Sequence, residues 1–153
     1  MKVERMETLG INVKNVGKAM AFFADLFEME FGEFVFGGTT RSETSNVEKA
    51  DPSSLPSGGI RVAMDRRGFF ELLETAATEK DEGFRNIHFK VPDMRLAKQE
   101  MERRGIGMVA EHRIGGVWEV VYNPAELHGI RLCLIEYDAP TLIDAVLQEK
   151  SAS

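Results

Sequence analysis

Glu71 and His88 are the side chains of this sequence that best suit proton transfer near neutral pH. His88 lies in a segment where polar and apolar residues alternate, as in a strand with one apolar face, and Glu71 lies in the strand candidate FELLE. A carboxylate and an imidazole can both titrate near neutrality when they are partly removed from water. The two residues therefore indicate general acid–base chemistry.

Two cations are predicted to share the strand face of Glu71 and His88. Lys90 and Arg131 would bring positive charge toward one pocket, which suits a carboxylate, an enolate or an acyl phosphate. We therefore expect a small anionic carbonyl compound or an acyl-CoA thioester as the ligand. The same pattern also allows each cation to pair with a nearby acid such as Glu71, or to reach solvent.

An internal duplication positions these residues. The segment TLGINVKNVGKAMAFFADLFEMEF, from Thr8, aligns without a gap on NIHFKVPDMRLAKQEMERRGIGMV, from Asn86. Each copy has an alternating strand, a helix-capping residue (Asn15 or Asp93) and then apolar residues at helical spacing. Alternation places Asn12 and Asn86 on the polar strand face, so we expect both amides to contact substrate.

Three strand candidates follow each predicted helix. They are 30–36, 60–64 and 69–74 in the first half, and 107–110, 117–122 and 130–136 in the second. Each half therefore predicts a βαβββ module, at about 5–75 and 84–137, within one domain spanning residues 1–139. Residues 140–153 are predicted to form a C-terminal helix and tail.

The connection 37–59 is rich in turn-forming residues and too polar to form core. Long connections of this kind are either disordered or act as lids over sites, and the sequence leaves both possibilities open. His112 and His128 fall in other predicted turns, where we expect exposure to solvent.

The composition limits the classes of partner. The chain has 153 residues, of which 43% are hydrophobic and 29% charged, as is usual for a globular domain. Its net charge of −6 gives no general attraction to nucleic acid or anionic membranes. No apolar run approaches the roughly 20 residues that span a bilayer, and the charged N-terminus does not suit a signal peptide. We expect a cytoplasmic protein with a small-molecule ligand and with neither a nucleic-acid nor a membrane partner.

These motifs resemble those of the vicinal oxygen chelate superfamily, which includes glyoxalase I, methylmalonyl-CoA epimerase, extradiol dioxygenases and bleomycin- and fosfomycin-resistance proteins. The resemblance covers about residues 6–136, and its last segment looks nearest to the epimerase-like branch. It is carried by LGINVKNVGKAMAFFADLF, GFFELLE, GFRNIHFKVPDMRLAKQEMERRGI and NPAELHGIRLCLIEY. The resemblance implies an α+β fold in which two βαβββ modules form a U-shaped mixed sheet around a cleft.

The resemblance also implies four metal-ligand positions, which correspond in this sequence to Thr8, Glu71, Asn86 and Cys133. Only Glu71 is a typical ligand of a divalent ion. We therefore expect the usual metal site to be lost and no cofactor to be required, with Glu71 and His88 as a fallback metal site. Cys133, the single cysteine, is expected to be an inert buried thiol.

Three functions follow from this reading. The first is a glyoxalase- or epimerase-like isomerase or lyase, in which Glu71 or His88 moves a proton next to a carbonyl. The second is a metal-free protein that sequesters ligands, as in the bleomycin-resistance branch. The third is a metal-dependent glyoxalase or dioxygenase with shifted ligands. Open sheet edges and an apolar tail helix further predict a homodimer.

Overall fold

The structure, a computed structural model, describes residues 1–36, 60–74 and 82–148. The predicted loop 37–59 and the end of the C-terminal tail lie outside these residues. No helix in the described ranges is long and apolar enough to cross a lipid bilayer.

Each half of the described chain forms a βαβββ module, as the duplication predicts. The first module contains β1 (Arg5–Asn12), α1 (Val16–Phe27), β2 (Phe31–Phe36), β3 (Ile60–Asp65) and β4 (Phe70–Glu74). The second contains β5 (Gly83–Lys90), α2 (Met94–Arg103), β6 (Met108–Ile114), β7 (Val117–Tyr122) and β8 (Leu132–Glu136). A last helix, α3 (Leu142–Val146), lies within the segment 140–153 for which a C-terminal helix and tail were predicted.

All eight strands form one mixed sheet that curls into a half-barrel, in the order β2-β3-β4-β1-β5-β8-β7-β6. The pairs β1/β4 and β5/β8 are parallel, and the other neighbours are antiparallel. The antiparallel pair β1/β5 joins the two modules within this chain. The predicted α+β fold with a U-shaped mixed sheet is therefore confirmed.

Both long helices begin at the predicted capping residues. The Asn15 side chain accepts a hydrogen bond from the backbone N–H of Lys18 at 2.8 Å, and Asp93 accepts one from Leu96 at 3.0 Å. Backbone N–H groups in the first helical turn have no partner within the helix, so each such cap stabilises it by about 1 kcal/mol.

A carboxylate at the end of each module's last strand also reaches the first turn of that module's helix. Glu74 Oε2 accepts a hydrogen bond from the backbone N–H of Val16 at 2.8 Å, and Glu136 Oε2 accepts one from Met94 at 2.5 Å. The helix dipole favours negative charge at this position. Each module thus contains an equivalent tertiary contact between its last strand and its helix, in addition to the repeated sequence pattern.

The convex face of the sheet packs against α1 and α2. The buried core beneath α2 contains Met94, Ala97, Met101, Val120, Tyr122, Leu132 and Leu134. α1 packs on the first module in the same way, around Val16 and Leu72. Burying one large apolar side chain contributes about 1.5–3 kcal/mol, so the convex face supplies much of the stability. The concave face carries polar residues set among apolar ones such as Val62 and Leu73.

Helix α3 crosses the open side of the curled sheet. Ile143 packs so closely on Gly32 of β2 that a Cβ at this glycine would lie 2.7 Å from Ile143 Cγ1. At the other edge, the backbone N–H of Gly116 in the β6–β7 turn donates to the carbonyl of Ala145 at 2.7 Å. α3 therefore links both edges of the half-barrel and narrows the space inside it.

Candidate functional site

His88 lies between two carboxylates at the centre of the concave face. Its Nε2 atom is 3.1 Å from Oε2 of Glu119 and 3.4 Å from Oε2 of Glu71. The side chains of His88, Glu119 and Glu71 are 3%, 16% and 12% exposed, respectively. They line a cavity of about 70 Å³, which has room for only a few water-sized groups. The two predicted catalytic residues are thus brought together, with a third group beside them.

Strand register places these side chains on one face. Glu71 on β4 and Asn86 on β5 both pair with Gly10 on β1, and His88 pairs with Cys133 on β8. A Cβ at position 10 would overlap Oδ1 of Asn86. Glycine at this position therefore leaves room for the Asn86 amide beside the cavity.

Glu119 is a site residue that the sequence analysis did not single out. It lies in the segment VWEVVY of β7, which is separated from β5 by β8. Strand alternation places Glu119 on the face opposite to the buried Val120. The sequence did offer one signal for Glu119, since it is an acid within an otherwise mostly apolar strand. Its proximity to His88, however, depends on the order of strands in the sheet.

The two carboxyl groups have opposite pKa shifts. Burial raises the pKa of Glu71 above its usual value of 4.5, although His88 opposes this effect. Burial acts on Glu119 in the same direction, but the hydrogen bond with His88 outweighs it and holds the pKa of Glu119 below 4.5. For His88, burial alone would lower the pKa, while Cys133 and the two acids raise it well above 6.5. This separation makes Glu119 the partner of a charged imidazolium and leaves Glu71 the better proton acceptor near neutrality.

A β-bulge turns Arg85 into the cavity. Gly10 pairs with Asn86, but the next pair is Ile11 with Phe84, so Arg85 is an extra residue on β5. Bulges commonly redirect a side chain next to a functional site. Strict alternation would instead have placed Arg85 on the convex face, where sequence analysis had no reason to consider it.

Arg85 and Arg131 both line this cavity. Arg85 Nη1 donates a hydrogen bond to Oδ1 of Asn12 at 3.3 Å. Burial, followed by the charge of Arg131, lowers the pKa of Arg85 from its usual value of 12.5. The predicted substrate-binding residues Asn12, Asn86 and Arg131 thus lie in or beside the cavity, together with a cation that was not predicted.

Lys90 is not brought to this cavity, which corrects the expectation that it shares a pocket with Arg131. Its Nζ atom lies 4.1 Å from the centre of the Tyr137 ring and 3.6 Å from Oε2 of Glu4. The sheet face was predicted correctly, but Lys90 is the last residue of β5 and contacts groups beyond the end of the cavity.

His112 is buried and lines the cavity, whereas an exposed turn was predicted. β6 extends to Ile114, well beyond the predicted strand 107–110. The physical reason is the tight turn at Gly115–Gly116, which lets every residue up to Ile114 approach β7. His128 is exposed, as predicted.

The metal positions implied by the resemblance hold Thr8, Glu71, Asn86 and Cys133. Thr8 and Asn86 are buried, neutral side chains, and Asn86 Nδ2 is directed at Cys133 Sγ, 3.4 Å away. Burial raises the pKa of Cys133, which disfavours the thiolate form that binds metals. Cys133 is fully buried, as predicted. With only Glu71 as a typical ligand, this set of donors does not fit a divalent ion.

No protein-family model and no curated protein matches this chain. Solved structures do match it. One is a variant of Streptomyces coelicolor methylmalonyl-CoA epimerase in complex with 2-nitronate-propionyl-CoA, 20% identical, with a TM-score of 0.66 over 92% of this chain and 99% of that one. Methylmalonyl-CoA epimerase from Mycobacterium tuberculosis is 16% identical, with a TM-score of 0.64 over 90% of both chains. A hypothetical protein from Bacillus halodurans C-125 is 18% identical, with a TM-score of 0.64 over 90% of this chain and 96% of that one.

At these identities the similarity shows the fold. Methylmalonyl-CoA epimerases are members of the vicinal oxygen chelate superfamily. The glyoxalase-like architecture expected from the sequence motifs is therefore confirmed, as is the resemblance to the epimerase-like branch at the level of structure.

Proposed function

We propose that this protein catalyses an isomerase-type proton transfer at a carbon next to a carbonyl group, on a small anionic or acyl-CoA substrate. The observation that carries the proposal is the placement of His88 Nε2 between Glu119 and Glu71, at 3.1 and 3.4 Å, inside the concave face. The structural similarity to methylmalonyl-CoA epimerases supports the reaction class. One such epimerase was solved in complex with methylmalonyl-CoA and NH4+.

Glu71 is the proton acceptor in this proposal. Its carboxylate takes the proton from the carbon, the C–H electron pair moves onto the carbonyl oxygen, and an enolate forms. Burial raises the pKa of Glu71, which makes its carboxylate a stronger base than an exposed one. The proton then returns from Glu71 to a different position of the enolate, which completes the isomerisation, or it first exchanges with water.

His88 supplies positive charge to the enolate. Its pKa is raised well above 6.5 by neighbouring acidic groups despite burial, so it is an imidazolium near neutral pH. Charge held in a site that excludes water stabilises a developing anion more strongly than charge in solution. Glu119 is a positioning residue in this proposal, because it keeps His88 charged and oriented.

Exchange of a substrate proton for solvent deuterium tests the proposal. The protein would be incubated in D2O with methylmalonyl-CoA, 2-oxo acids and hemithioacetals, and deuterium incorporation followed by mass spectrometry. We expect incorporation for at least one class, lost in Glu71→Gln and retained in Glu33→Gln, an exposed acid on β2. Binding without exchange across the panel would instead identify a sequestering protein, and would refute the catalytic proposal.

A second candidate is a metal-dependent enzyme with shifted ligands. The potential ligand atoms of His88, Glu119 and Cys133 lie within 4.8 Å of one another. This group overlaps the fallback pair, Glu71 and His88, only at the histidine. Metal analysis of purified protein separates the two candidates, because a stoichiometric transition metal that is lost in Glu119→Gln would favour the second.

The predicted homodimer stays a prediction, to be checked by sedimentation.

A further inference from the structure

Two guanidinium groups, those of Arg85 and Arg131, line the cavity without a described carboxylate in direct contact. In residues 1–36, 60–74 and 82–148, neither Arg85 nor Arg131 lies within 4.0 Å of a carboxylate oxygen. The Nε atom of Arg131 is buried and has no hydrogen-bond partner in the same residues. Arg85 donates only to a neutral acceptor, the Asn12 amide oxygen.

The two nearby acids make their shortest contacts with His88 and not with the arginines. Glu71 and Glu119 are both directed at His88 Nε2, at 3.4 and 3.1 Å. A guanidinium cannot release its proton to relieve the repulsion, because its pKa is too high. Glu71 and Glu119 attract the two guanidinium groups across the cavity. With His88 charged as well, three cations face two carboxylates, and we expect an anion from solution to balance the remaining positive charge.

The strand register holds the two arginines side by side. Ile87 pairs with Leu132, and the backbone N–H of Ile87 donates to the carbonyl of Arg131 at 3.1 Å. Arg131 therefore lies across from Asn86, next to the bulge residue Arg85. Two adjacent guanidinium groups offer several N–H donors in fixed planes, an arrangement that suits both oxygens of a carboxylate.

We propose that Arg85 and Arg131 form a carboxylate-binding subsite, so that the substrate carries a carboxylate a short distance from its reactive carbonyl. This inference rests on the proposed function and names the substrate class of that site. The cavity of about 70 Å³ admits only a carboxylate with a few carbon atoms. The carboxylate belongs either to a free short-chain oxo acid or to the acyl group of a dicarboxylic acid thioester. In the second case only the acyl group enters the cavity, and the thiol part of the thioester lies outside it.

Binding measurements without turnover test the subsite. Malonate and succinate would be titrated into the protein by calorimetry, with the uncharged malonamide as the matched probe. We expect both dianions to bind and malonamide not to. Affinity should fall at least about tenfold in Arg85→Gln and in Arg131→Gln. It should be unchanged in Arg61→Gln, an exposed arginine on β3 that is paired with Glu33. Equal affinity in the wild type and both cavity variants, or equal binding of malonamide, would overturn the proposal.

Two further arms keep the outcomes distinct. Arg131→Lys keeps the charge while losing the planar donor pair, so retained folding with weaker binding supports the subsite even where Arg131→Gln unfolds. Glu71→Gln should bind malonate at least as tightly as the wild type does, because it removes a negative charge that faces the same cavity. Carboxylate binding without any deuterium exchange would refute the proposed function and leave the subsite standing. If deuterium exchange proceeds equally well with substrates that have and that lack a carboxylate, the subsite is refuted and the proposed function stands. Comparing an oxo acid with a malonyl thioester in the exchange assay then distinguishes the two sources.

Discussion

Replacing Glu119 with Gln is expected to lower the pKa of His88 and to destabilise the protein most strongly at mildly acidic pH. The substitution keeps the size of the side chain and an oxygen that can accept the hydrogen bond from His88 Nε2, now 3.1 Å away. It removes the negative charge. The change therefore isolates the electrostatic part of the interaction.

The magnitude follows from the geometry of the cluster. An opposite charge this close raises the pKa of a histidine by about 1–3 units. Glu71 remains 3.4 Å from the same nitrogen in the variant and keeps part of the attraction, so the pKa of His88 should fall only partway. A hydrogen bond to a charged group contributes about 1.5–3 kcal/mol, and we expect the free energy of unfolding to fall by about this amount at most.

The pH dependence has a definite sign. Because the folded-state pKa of His88 is raised above 6.5, the stability contributed by its charged form is fully present below about pH 6.5. That contribution is lost as the pH rises through the folded-state pKa. Glu119, whose pKa is lowered, is ionised throughout this window. The difference between Glu119→Gln and the wild type should therefore be largest near about pH 6 and narrow toward alkaline pH.

Urea denaturation at a series of pH values, combined with an NMR titration of the His88 ring, measures both quantities. Glu33→Gln is the matched control, because its exposed pair with Arg61 at 3.4 Å should contribute less than about 1 kcal/mol at any pH. A wild-type His88 that titrates near 6.5, or a stability difference that stays constant with pH, would refute the pairing of His88 with Glu119.

Two further substitutions test how the fold supports the site. Gly10→Ala should displace the Asn86 amide and destabilise the protein by about 1–3 kcal/mol in denaturant titrations. Gly17→Ala, in α1, should be neutral or stabilising, and equal stability of the two variants would contradict the close approach at Gly10. Glu136→Gln should lower stability by about 0.5–1 kcal/mol, because it removes the negative charge at the Met94 N–H; an unchanged melting temperature would show that this contact contributes nothing.

The architecture was predictable because its signals are local or repeated. Strand alternation, the capping residues Asn15 and Asp93 and the gapless alignment of the two halves all arise within segments of about 25 residues or fewer. Such signals do not depend on which strands pair with each other. The predicted modules therefore agree with the structure, apart from the end of β6.

The composition of the site was predictable only in part. Alternation placed Glu71, His88 and Asn86 on one face, since successive strand residues point to opposite sides. It also placed Lys90 on that face, but it could not show that this side chain would contact Tyr137 and Glu4 instead of the cavity.

The sequence by itself determined the duplicated βαβββ plan and the polar face on which any chemistry must occur, because both follow from periodicity along the chain. Only the tertiary structure decided which polar groups meet. Glu119 reaches His88 because β8 brings β7 close to β5, and Arg85 enters the cavity because a bulge against β1 reverses its direction. Strand order and bulges depend on pairing between distant segments, so no local pattern contains them. The proposed acid–base cluster and the proposed carboxylate subsite both depend on contacts of this kind.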